Sequence, residues 1–162
     1  MTSTTSRRTR ARPADVPAPA EGTLATALQG VATWLQALAD GAAPTPWPTP
    51  PTLMRMAARL GLQPFERDLL WLAAAPDIDT TLGPLFVAAQ GTGAPPWATF
   101  GLALRHLPGA DWAAIAPVGR LRRWRLLDMV GPGPVTGTAL RVDETVLHRL
   151  LGHGHADPRL EP

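Results

Sequence analysis

The sequence contains no cysteine and no lysine, and its two serines, Ser3 and Ser6, both lie at the extreme N-terminus. Without cysteine there is no disulfide framework, thiol nucleophile, CxxC redox pair or Cys-ligated zinc site. Without lysine no P-loop can reach the terminal phosphates of a nucleotide, which excludes ATP hydrolysis within these residues. No serine stands where a Ser, His and Asp grouping would need one. Apolar runs are also short: Arg, Asp, Gly or Pro interrupts every candidate before the roughly 18–20 residues that cross a bilayer. The basic N-terminus leads into Pro13–Pro19 where a secretory signal needs an apolar stretch, so the sequence predicts a cytoplasmic chain with no membrane partner.

What the chain does have is arginine, proline, alanine and glycine. All fifteen basic residues are Arg, and Arg7, Arg8, Arg10 and Arg12 sit in the first twelve positions. Beyond them eleven Arg face thirteen acidic residues, a net of minus two, so the high pI reflects the arm rather than a basic domain. Heavy use of these residue types is also what a GC-rich coding sequence produces, and it is no argument for nucleic-acid binding by itself.

Residues 1–21 read as a disordered Arg- and Pro-rich arm. Within 22–41, Leu24, Leu28, Val31, Leu35 and Leu38 fall on one helical stripe that Gly41 can end. Residues 42–51 form a proline linker around Trp47, which makes the first helix separable from the rest of the chain. The unit at 52–152 starts with Thr52 as an N-cap for Leu53–Leu60, followed after Gly61 by a helix from Pro64 that Pro76 stops. Its inward stripe is Phe65, Leu69, Leu72 and Ala73, and Glu66, Arg67 and Asp68 begin its outward side. Helices over Leu82–Gln90 and Pro96–Leu107 follow, then a turn capped by Asp111. Leu121–Val130 and Thr138–Val142 read as a hairpin around a Gly/Pro tip, and Asp143 caps a closing helix. The expected fold is mainly α with a small β-hairpin, a helical bundle in the order of a winged-helix module, with 153–162 as a tail.

Few residues suggest chemistry. Pro132 and Pro134 remove the amides with which Gly131, Gly133 and Gly137 would cradle a phosphate. His153 and His155 have only Asp157 and Glu161 nearby, and Asp77 with Asp79 is placed to solvate a turn and cap the next helix, so no catalytic residue, metal site or cofactor is assigned. The feature best suited to a partner is Arg120, Arg122, Arg123, Trp124 and Arg125. In a strand these fork donors divide between faces and clamp phosphates or a partner's carboxylates; alternatively they form a solvated face with Trp124 in the core. The helix expected to enter a DNA groove, Trp97–Leu107, offers only Arg105 and His106 and no Asn, Gln or Lys for base edges.

Three stretches, "PFERDLLWLAAAPDID", "LRRWRLLDMV" and "LRVDETVLHRLLGHGHADPRL", together resemble the winged-helix region that precedes the ATPase module of bacterial AAA+ proteins, including those encoded with contractile injection systems. The resemblance spans about Leu53 to Leu160. It implies a non-catalytic N-terminal domain, with ATP and magnesium bound only in a module downstream, and a protein assembly or the protein's own ATPase module as partner. Glu66, Arg67, Asp68, Leu69 and Leu70 match the first motif helix, Leu121–Leu127 the entry to the wing, and Asp143 with Glu144 the start of the last helix. The alternative reading is a nucleic-acid-binding winged helix of weak sequence preference, with the arm and wing as phosphate contacts.

Overall fold

The computed structural model describes residues 22–153. The arm at 1–21 and residues 154–162, His155 included, lie outside the described residues. The chain forms α1 (Leu24–Ala39), α2 (Pro51–Leu60), α3 (Pro64–Ile78), α4 (Gly83–Gln90), α5 (Phe100–His106), α6 (Arg120–Arg123), β1 (Leu127–Val130), β2 (Ala139–Val142) and α7 (Glu144–Leu150). It is mainly helical with one antiparallel hairpin, as the sequence predicts. Among the described residues no helix is long and apolar enough to cross a membrane.

Helix α3 is the axis of the core. Gln63 and Glu66 close a capping box at its start, and Pro64 occupies a first-turn position where no amide is required. Phe65 and every residue from Leu69 to Ala75 are buried, so the helix is covered all round rather than along one stripe. Glu66 is consequently buried too, not outward-facing: its carboxylate accepts the Gln63 amide at 2.7 Å and meets the Arg120 guanidinium at 3.5 Å. Pro76 does not stop the helix. It lies in the final turn, and the Asp79 amide still bonds the Ala75 carbonyl at 2.9 Å before Asp79 caps the next turn. Thr52 likewise does not cap α2, which begins at Pro51; its hydroxyl donates to the Leu150 carbonyl at 2.7 Å and ties α2 to the end of α7.

The proline segment does not hold α1 away from the rest. Ala27, Val31, Trp34 and Leu35 are buried, a face rotated slightly from the leucine stripe because Trp34 is the largest apolar group available. Trp47 folds back and meets Trp34 edge to face at 5.2 Å. Gly30 permits this approach, since a Cβ there would stand 2.6 Å from the Trp47 Cβ. On the other side Trp34 meets the His106 ring at 6.2 Å, joining α1 to α5. Partial burial, with Arg105 beside it, pushes the His106 pKa below the usual 6.5. The unfolded chain therefore binds the proton more readily, and stability is expected to fall as pH drops through 6.5 toward the folded-state value. Urea titrations of wild type and His106→Asn at several pH values check this, because the variant should lose that part of the slope.

The C-terminal half carries the hairpin. Its register pairs Leu127 with Val142 and Val130 with Ala139, which turns Leu127, Leu140 and Val142 into the core. An isolated bridge extends the two-stranded sheet: Thr99 pairs with Ala139, and the Leu140 amide donates to the Ala98 carbonyl at 3.2 Å. The expected helix over Pro96–Leu107 is therefore shortened to α5. Pro95 and Pro96 favour extended backbone, and the Thr99 hydroxyl caps α5 through the Leu102 amide. The tip after β1 does not project. It folds onto α5, where Gly101 lies so close to Thr136 that a Cβ would stand 2.9 Å from the Thr136 carbonyl oxygen.

Candidate interaction surface at the turn before the hairpin

The cluster singled out in the sequence lies on one helical turn, not on a strand. Helix α6 holds Arg120–Arg123, and β1 begins only at Leu127. The turn closes with the Leu126 amide on the Leu121 carbonyl at 2.8 Å and the Arg125 amide on the Arg122 carbonyl at 3.0 Å. These two bonds make a Schellman motif, and buried Leu121 and Leu126 supply its usual apolar contact. The large apolar residues of Leu121 to Val130 suit a strand as well as they suit this turn, which is why the sequence alone misplaces it.

The motif needs a left-handed residue just after the helix cap, usually glycine. Here it is Arg125, with φ 53° the one non-glycine residue of positive φ among the described residues. Such a conformation costs an L-residue roughly 1–2 kcal/mol. Trp124 just before it is 53% exposed, so the reading that placed it in the core is incorrect. The Arg123 guanidinium lies over its ring, 5.8 Å from the centroid.

The arginines divide by partner. Arg120 holds buried Glu66, and Arg122 reaches Asp128 at 3.8 Å. Arg123 and Arg125 have no ion pair among the described residues. Trp112, 59% exposed, and Val118 are further solvent-facing apolar residues on the segment leading into α6, and the sequence reading passed over both. Their position after the capping Asp111, in a turn too short to bury every apolar group, was the available signal. Arg141 was also missed. It stands across the hairpin from Asp128, and the alternation with buried Leu140 and Val142 marks it as outward-facing.

The segment directly before the hairpin, which in a helix-turn-helix arrangement supplies the groove-reading helix, is 112–123 rather than Trp97–Leu107. It is broken: a short turn at Trp112–Ile115 is separated from the four-residue α6 by Pro117 and Gly119. Asp77 and Asp79 show no catalytic pairing, since the Asp79 carboxylate accepts the Thr81 amide and hydroxyl and caps a turn. Groups of three or more His, Asp or Glu suited to a metal ion are absent among the described residues.

The chain has no significant match among curated proteins or among solved structures. A family model described as winged helix domain, variant, matches residues 4–162. With helices leading into an antiparallel hairpin and a single bridge at Thr99 to its second arm, the chain belongs to that winged-helix family.

Proposed function

We propose that this chain is a non-catalytic protein-interaction domain that positions an AAA+ motor on a cytoplasmic partner or assembly. Arg123, Trp124 and Arg125 form the contact, while Arg120 and Arg122 hold the turn in place. The observation that carries this reading is an exposed tryptophan flanked by two arginines without ion pairs, on a turn fixed by buried leucines. Aromatic and arginine side chains in that combination are the groups that dominate protein interfaces. The AAA+ assignment rests on the three sequence stretches and their order, and in this reading ATP and magnesium belong to a downstream module.

The competing reading, nucleic-acid binding, gains little support from the same features. Residues 22–153 carry ten Arg against nine carboxylates, a net of plus one, which gives scant attraction for a polyphosphate. The segment before the hairpin is too broken to lie along a major groove, and the hairpin tip is held on α5.

A photo-crosslinking amino acid at Trp124, incorporated in the native host, tests the contact. The expected product is a covalent adduct with a discrete protein that disappears on Arg125→Glu. Adducts with nucleic acid alone would contradict it. The intact mass of the native gene product tests the motor: a mass far above that of 162 residues, with a P-loop in the added sequence, supports it. A mass equal to this chain contradicts it.

A further inference from the structure

Beside the hairpin runs a groove of about 870 Å³, lined by Leu127, Asp128 and Val130 of β1, by Arg141 and Val142 of β2 and by the start of α7. The main chain of β1 is half unpaired. The Leu140 amide is committed to Ala98, on the far side of β2, so the facing pair Met129 and Leu140 exchanges no ladder bond. By alternation the pair Leu127 and Val142 exchanges none either. The amides and carbonyls of Leu127 and Met129 therefore point to the open side of β1, where no strand pairs with them among the described residues. Asp128 shields one of these groups, its carboxylate accepting the Met129 amide at 2.8 Å.

The charges along the groove are unequal in what they already hold. Asp128 is engaged by Arg122, Glu144 lies 3.7 Å from His148, and Asp143 caps α7 through the Thr145 amide, whereas Asp77 at the groove wall has no ion pair among the described residues. Arg125 and Arg141 also line the groove and have no ion pair among the described residues. Arg125 sits there in the left-handed conformation that glycine would adopt more readily, so its guanidinium is placed at the groove against a backbone preference.

We infer that this groove binds an extended peptide bearing an acidic side chain, which adds to the open edge of β1 and places its carboxylate on Arg125 and Arg141. The inference rests on the protein-interaction reading and names the chemistry of its partner. An open strand edge selects an extended chain, because a helix has already satisfied its own main-chain groups. Four carboxylates against three arginines along the groove disfavour a polyphosphate, whereas an isolated carboxylate calls only on the unpaired guanidiniums of Arg125 and Arg141.

The test is an NMR titration of the full chain with the alternating peptide acetyl-Val-Glu-Val-Glu-Val-amide, against acetyl-Val-Lys-Val-Lys-Val-amide. The acidic peptide should shift the amides of Leu127 and Met129 and the Arg125 side chain, and the lysine peptide should bind at least about tenfold more weakly. Arg125→Gly should weaken the acidic peptide by at least about tenfold while raising the thermal midpoint, a pairing that a merely structural role for Arg125 would not give. Equal binding of both peptides, or unchanged affinity in Arg125→Gly, would overturn the inference. No peptide-induced shifts together with a protein adduct at position 124 would overturn the groove proposal alone. Loss of both signals would overturn the interaction reading with it.

Discussion

Replacing Trp71 with alanine is expected to destabilise the chain by about 3–5 kcal/mol, the largest loss expected of any single core substitution. Trp71 is fully buried on the central helix α3, and its indole N–H donates to the Ala27 carbonyl at 3.4 Å, which ties α3 to α1. Truncation removes both the packing that surrounds the ring and this link. Because a domain of this size is stable by only about 5–15 kcal/mol in total, a large part of its margin should disappear. Trp71→Phe keeps most of the buried area and loses the hydrogen bond, so about 1–2 kcal/mol is expected. Urea denaturation of the three proteins gives the comparison, and a loss below about 1 kcal/mol for the alanine variant would show that α3 is not the core axis.

The second large effect concerns the hairpin tip. Gly101→Val places a side chain where the Thr136 carbonyl oxygen stands 2.9 Å from the Cβ and the Thr136 Cβ 3.3 Å away. Valine is a slightly better helix former than glycine, by a few tenths of a kcal/mol, but the obstacle is main chain and cannot rotate aside. The tip must lift, at a cost of about 1–3 kcal/mol. Amide exchange should accelerate at Gly137, whose N–H bonds the Pro134 carbonyl at 2.9 Å when the tip is closed. Unchanged exchange with raised stability would mean that the tip does not rest on α5.

Local signals were legible in the sequence, and signals set by tertiary packing were not. The caps at Asp79, Asp111 and Asp143 act within two residues of themselves, and each is found accepting the amide that its position requires. The hairpin could be read from its Gly/Pro tip and from the alternation of its second strand. Burial of Glu66 could not, because its outward position on a helical wheel holds only if α3 has an outward side. The bridge at Thr99 involves too few residues to produce a pattern. The region 121–127 was misread because a stretch rich in large apolar residues ahead of a Gly/Pro tip suits a strand, while Leu121, Leu126 and a left-handed Arg125 close a helical turn instead. The interaction residues were found by type, and only the structure separates Arg120 and Arg122, which have partners, from Arg123 and Arg125.

The most direct test of the account is duplex DNA binding in dilute salt, measured with the full chain, with Arg123→Glu/Arg125→Glu, and with Arg7, Arg8, Arg10 and Arg12 all replaced by Gln. If the turn before the wing is a protein contact, any affinity for DNA should vanish with the arm substitutions and persist when Arg123 and Arg125 are reversed in charge. Affinity that falls steeply with salt and collapses in Arg123→Glu/Arg125→Glu would contradict it and make this surface a nucleic-acid interface.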